Sequence, residues 1–127
     1  MIHLDTNMLV ELSQQRSDFG SSISRKITEG GSLSCCSIAW SEFSNGPITP
    51  EQVSNVLDLI CSRVTPFDRH DGELAAKLFN FGGRRRGSGS DCMIAAAAIR
   101  AKATLATHNR KDFSRFESQG LQIEPLN

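Results

Sequence analysis

A chain of 127 residues is the size of one domain, since domains typically run about 100–200 residues. At 39% hydrophobic and 22% charged, its composition is that of an ordinary globular protein and excludes a disordered tail. The formal net charge is zero but unevenly placed: residues 1–83 net −4, residues 84–115 net +6, and Glu117 and Glu124 add −2. A basic block inside a neutral chain is compatible with a local phosphate-binding face or with a solvated helix surface.

The longest apolar run, Cys92–Ile99, falls far short of the roughly 20 residues that a membrane-spanning helix needs. Met1-Ile2-His3-Leu4-Asp5 has neither the basic stretch nor the apolar core of a secretory signal, so no membrane association and a cytoplasmic location are expected. Cys35, Cys36, Cys61 and Cys92 show no CxxC spacing and read as buried thiols.

Taken in chain order, Met1–Leu4 reads as a buried strand ending in the polar turn Asp5-Thr6-Asn7, and Met8, Leu9 and Leu12 mark the helix that follows. Ser17–Gly20 breaks the pattern, Ile23 and Ile27 mark a second helix face, and Gly30-Gly31 ends it. Leu33–Ile38 is strand-like and Ala39–Ser44 predicts a short helix. Thr49-Pro50-Glu51-Gln52 is a strong helix start, with Thr49 as N-cap, proline at the first position and Gln52 closing a capping box; Val53, Val56, Leu57 and Ile60 share its face.

Val64–Phe67 predicts a short strand, and Leu74, Ala75, Leu78 and Phe79 predict the next helix. Gly82–Gly89, with Arg84, Arg85 and Arg86 at its centre, predicts a flexible basic loop, after which Ser90 and Asp91 open the apolar helix Cys92–Lys102. Ala103–Ala106 predicts a strand, His108–Arg115 a turn and short helix, and Leu121–Glu124 a last strand. Trp40 and the seven phenylalanines read as core. Strands alternating with helices predict one α/β domain over residues 1–127 with a mainly parallel sheet.

In such a sheet ligands bind beyond the carboxyl ends of the strands. Asp5 directly follows the first strand, Glu42 follows the second by a short turn, Asp91 opens a helix, and Asp112 lies past the Ala103–Ala106 strand. Each has a plain structural alternative: Asp5 and Asp91 as helix caps, Glu42 as a solvated surface group, Asp112 as a partner for its basic neighbours. Gathered at one rim, these carboxylates would raise one another's pKa. A divalent cation relieves that repulsion, and Mg²⁺ or Mn²⁺, which takes oxygen ligands and retains waters, suits phosphodiester hydrolysis.

Other motifs carry less. His3, His70 and His108 are too scattered for a zinc signature, Cys35-Cys36 lacks a partner motif for a cysteine hydrolase, and Asn7 stands where an aspartyl-phosphate enzyme would need a second Asp. Gly82–Gly89 lacks the Lys-Ser/Thr ending of a P-loop; three arginines beside Asp91 favour phosphate contact over a mere connector.

Ile2-His3-Leu4-Asp5-Thr6-Asn7, Ser41-Glu42-Phe43, Ser90–Ala98 and Thr107-His108-Asn109-Arg110-Lys111-Asp112-Phe113 stand in the order and spacing of PIN-domain proteins. Over essentially its whole length the chain resembles the VapC-type toxins of bacterial toxin–antitoxin pairs. The resemblance implies an α/β/α sandwich and a Mg²⁺- or Mn²⁺-dependent endoribonuclease. It implies an acidic quartet of Asp5, Glu42, Asp91 and Asp112, supported by Thr6 or Asn7 and by Thr107 or Asn109. Some members place an acid where Asn109 stands, so Asn109 and Asp112 compete for the fourth position.

As partners the resemblance implies an RNA substrate, a second copy of the chain, and a cognate antitoxin whose extended segment crosses the catalytic groove. The apolar faces of residues 8–12 and 53–60 are the candidate contact surfaces. Two other functions are compatible with the same residues: a nuclease of RNA maturation unrelated to toxicity, and a PIN-like module that binds RNA or protein without cleaving.

Overall fold

The computed structural model describes residues 1–14 and 31–126; the turn expected at Ser17–Gly20 and the helix face of Ile23 and Ile27 lie outside them. Strands β1 (Ile2–Leu4), β2 (Leu33–Cys36), β3 (Val64–Thr65), β4 (Thr104–Ala106) and β5 (Gln122–Ile123) form one sheet in the order β3-β2-β1-β4-β5. Every pairing is parallel. Parallel neighbours cannot be joined by a tight hairpin, so helices make the crossovers. These are α1 (Thr6–Ser13), α2 (Ser37–Ser44), α3 (Pro50–Leu59), α4 (Arg69–Phe81), α5 (Gly89–Arg100) and the single turn α6 (Arg110–Phe113), which continues as a 3₁₀ turn over Ser114–Gln119. The architecture is the expected α/β/α sandwich.

A central parallel strand is covered on both faces and so reads as a continuous apolar run. In β1, Ile2 and Leu4 obey this; His3 is equally buried and is the exception. Leu9, Leu33, Phe43, Leu105, Phe113 and Phe116 fill the core around it. The N-terminus of α3 is as the sequence predicts: Gln52 N–H donates to Thr49 Oγ1 at 3.1 Å and Thr49 N–H to Gln52 Oε1 at 2.9 Å. A second capping box, between Asp68 and Asp71, opens α4.

Several boundaries differ from the pattern. The second strand ends at Cys36, so Ser37 and Ile38 already belong to α2. Its partner ladder ends at Cys36↔Thr65, because Pro66 has no N–H to extend β3 to Phe67. Helix α5 begins at Gly89 with Ser88 as N-cap, which places Ser90 and Asp91 inside the first turn. The apolar faces of residues 8–12 and 53–60 are not free surfaces: α1 packs against α3, and Met8, Leu9, Leu12, Val56 and Ile60 are buried. The exposed large apolar side chains among the described residues are Met1, Leu59 and Phe81, so Phe81 is not core. Cys35, Cys36 and Cys92 are buried thiols, whereas Cys61 is exposed. No described helix is long and apolar enough to cross a membrane.

Candidate active site

The parallel sheet delivers the carboxyl ends of β1, β2 and β4 to one edge. Asp5 stands there as the N-cap of α1, with Oδ1 accepting Met8 N–H at 2.9 Å. Its other oxygen accepts the Thr107 hydroxyl at 2.5 Å. That bond follows from the β1–β4 register: Leu4 lies opposite Ala106, so the residues immediately after each strand meet. Thr107 is fixed in turn by Asn109 N–H, 2.9 Å from its Oγ1. Asp5 is therefore the helix cap that the plain reading expects, and it stands at the carboxyl edge of the sheet.

Glu42 projects from α2 and is exposed, but its Oε1 accepts the Thr6 hydroxyl at 2.6 Å, which ties α2 to the start of α1. Asp91 lies in the first turn of α5 and is not the cap, so its carboxylate is not consumed in capping. Asp112 in α6 accepts Asn109 Nδ2–H at 2.8 Å. The two candidates for the fourth position are thus one hydrogen-bonded pair. Asn7 faces solvent and holds none of the four acids.

The electrostatics join these segments. Burial raises the Asp91 carboxyl above the usual 3.8, and the charges of Asp112, Asp5 and Glu42 raise it further, with Arg115 opposing. Asp5 is also raised, chiefly by burial; the Thr107 hydroxyl, the Met8 N–H and the charge of His108 oppose, and Glu11 adds to the rise. His108 itself meets Glu11 at 2.9 Å.

The basic loop divides in three. Arg84 turns back onto α4, bonding Asn80 Oδ1 at 2.5 Å and lying 5.1 Å over the Phe79 ring. Arg85 reaches across to Asp112 at 3.8 Å. Arg86 is exposed. Arg115 was counted in the basic block but not singled out by sequence reasoning. Its guanidinium stacks 4.5 Å from the Phe116 ring centroid, and its buried Nε and Nη1 have no partner among the described residues. A Cβ on Gly82 would come 3.4 Å from that Nη1. Its position three residues after Asp112 was the available signal; its burial was not readable from the chain.

The donor set fits a hard divalent cation: carboxylate oxygens on one edge, at least one destabilised by the others. Among the described residues, no three His, Cys, Asp or Glu side chains are grouped closely enough to hold a metal ion by themselves. An open carboxylate cluster suits an ion that keeps part of its water shell, as Mg²⁺ does.

A family model for the PIN domain matches residues 2–118. Among solved structures, VapBC2 from Rickettsia felis bound to a promoter DNA fragment is 26% identical, with 98% of each chain covered and a TM-score of 0.71. VapBC-1 from nontypeable Haemophilus influenzae is also 26% identical, covering 99% of this chain and 98% of that one with a TM-score of 0.70. FitAcB from Neisseria gonorrhoeae, at 18% identity, 98% and 97% coverage and a TM-score of 0.73, shares the fold. No curated protein sequence matches the chain. With the family model spanning nearly the whole sequence and the acidic edge built as described, this chain belongs to the PIN domain family.

Proposed function

We propose that this chain is a metal-dependent endoribonuclease and the toxin of a toxin–antitoxin pair, with Asp5, Glu42, Asp91 and Asp112 holding Mg²⁺ or Mn²⁺. What supports this reading is that the charges of Asp112, Asp5 and Glu42, from three other segments, all bear on Asp91. When bound, such a cation supplies Lewis-acid polarisation of the phosphate and activation of water at neutral pH.

The chain's own groups prepare that site. The Thr107 hydroxyl and Met8 N–H fix both oxygens of Asp5, leaving its remaining lone pairs for the site. Thr6 holds Glu42, and Asn109 holds Asp112, so Asp112 brings the fourth charge and Asn109 orients it. Such outer hydrogen bonds typically matter by about 10–100-fold in metal affinity or activity. Arg86 and Arg85 lie exposed on the loop before α5 and are the phosphate contacts, while Arg84 is committed to Asn80.

The likeness to VapBC2 and VapBC-1 supports a cognate antitoxin as partner, and the family resemblance supports a homodimer. The deciding experiment is cleavage of a mixed RNA pool in Mg²⁺, Mn²⁺ or EDTA by wild type and Asp5→Asn. Asparagine keeps the N-cap, so lost cleavage reports the carboxylate and not a lost helix start. Cleavage in EDTA, or undiminished cleavage by Asp5→Asn, defeats the reading. Light scattering tests the dimer, and loss of cleavage on adding the antitoxin tests the pair.

A further inference from the structure

Two arginines face the acidic edge, and they are arranged crosswise. Arg85 comes from the loop just before Asp91 yet meets Asp112, at 3.8 Å. Arg115 comes from the turn just after Asp112 yet bears on Asp91. Their surroundings differ sharply. Arg115 is locked by the Phe116 ring and the approach of Gly82, with two of its nitrogens sealed from solvent. Arg85 has 57% of its side chain exposed, makes one ion pair among the described residues, with Asp112, and sits between Gly83 and Gly87, both at positive φ. Three successive positions in that loop thus differ in availability: Arg84 is tied down, Arg85 is held by a long ion pair, and Arg86 is exposed with no bond among the described residues.

An exposed pair at this separation is weak, so a stronger competitor for Asp112 releases the arginine. We propose that Arg85 is an exchangeable counter-ion. It neutralises Asp112 while the site lacks a divalent cation, and it becomes free to hold an RNA phosphate once Asp112 turns its charge to that cation. Cation and RNA then bind with positive coupling through this one side chain, and the coupling is reciprocal. The inference rests on the nuclease reading of the site and adds to it an order of assembly: the loop's phosphate grip matures only when the acids are loaded. Arg115 cannot exchange in this way, because its guanidinium is packed and stacked in place.

The test uses the full chain, Mn²⁺, and a short 2′-O-methyl RNA that resists cleavage, at constant ionic strength. RNA affinity is measured with and without Mn²⁺, and Mn²⁺ affinity with and without RNA, for wild type, Arg85→Gln and Arg86→Gln. In wild type Mn²⁺ tightens RNA binding. In Arg85→Gln the tightening shrinks by about twofold to fivefold, the range expected for release of one exposed ion pair. Mn²⁺ alone then binds Arg85→Gln more tightly than wild type, since Asp112 has lost its competitor. Arg86→Gln weakens RNA binding equally with and without Mn²⁺. An Arg85→Gln variant that behaves like Arg86→Gln, or one whose Mn²⁺ affinity is unchanged, overturns the exchange while leaving the nuclease reading intact. A wild-type chain that binds neither Mn²⁺ nor RNA overturns both.

Discussion

Two clusters of acidic side chains among the described residues are treated in opposite ways. Asp68 and Asp71 at the start of α4 are consumed by structure. Asp71 N–H donates to Asp68 Oδ1 at 3.0 Å, and Asp68 N–H donates to Asp71 Oδ2 at 2.9 Å. Arg100 Nη1, from the end of α5, donates to both, at 3.0 and 2.9 Å. The Asp71 N–H and then Arg100 hold the Asp68 carboxyl below the ordinary 3.8. At the acidic edge Asp91 is pushed the other way, by burial and by three more carboxylates. An acid beside its own cation is a clasp, here tying α4 to α5. Acids that raise one another, opposed by the packed Arg115 and the weak, exposed Arg85, are poised for a charge from outside.

The sharpest way to break that comparison is to neutralise one acid in each cluster. Asp91→Asn should lower RNA cleavage by more than about 100-fold, beyond the loss usual for an outer-shell partner. Asp68→Asn should leave cleavage unchanged and instead lower the melting temperature. Multiple-turnover cleavage and a thermal melt of both variants check this. Equal losses of activity in the two would erase the distinction between clasp and site.

His3 sharpens it from the buried side. Burial pulls its imidazole from 6.5 down to about 4, against the attraction of Asp71. Its folded pKa lies below its unfolded one, so as pH falls the unfolded chain takes up the proton first. The stability of neutral His3 is whole above 6.5 and is lost as pH falls to about 4, amounting to about 3 kcal/mol. Urea unfolding of wild type at several pH values across that window should show the loss, and His3→Phe should flatten it. A flat wild-type profile would mean that His3 finds a proton partner when the chain is folded.

Arg100→Met tests the clasp itself. Asp71 is buried and keeps its capping bond but loses its cation, while the other partners are partly exposed, so the variant should unfold at a lower denaturant concentration than wild type. The freed Asp71 charge should also raise the His3 pKa above its wild-type value. Denaturant melts give the first quantity and the histidine ring resonances against pH give the second.

What the sequence showed of this contrast follows from range. Asp5 was legible because an apolar run ended in an acid, and Thr49-Pro50-Glu51-Gln52 because capping chemistry is local. The capping box of Asp68 and Asp71 obeys the same local rule and went unremarked beside the helix periodicity that followed it. Arg100 is about thirty residues from its two aspartates, and nothing in the chain between them signals the pairing. Arg115 is likewise a matter of tertiary burial. The faces of residues 8–12 and 53–60 read as contact surfaces for the same reason: the packing of α1 against α3 is tertiary, and nothing in the chain between them signals it.

The smallest effect separates the clusters without any chemistry. Asp91 has a folded pKa above its unfolded one, so its ionised form destabilises the metal-free chain at neutral pH, and that penalty fades as pH falls through the raised value towards 3.8. Metal-free Asp91→Asn should therefore melt at or slightly above wild type at pH 7, with the gap closing on acidification. Mn²⁺ reverses the order. At ten times its dissociation constant it stabilises wild type by about 1.4 kcal/mol through mass action, and the variant by much less. Arg100→Met, though weaker overall, should keep the full Mn²⁺ response, because its aspartates belong to the other cluster. If instead Arg100→Met loses the response and Asp91→Asn keeps it, the two clusters have been assigned the wrong way round.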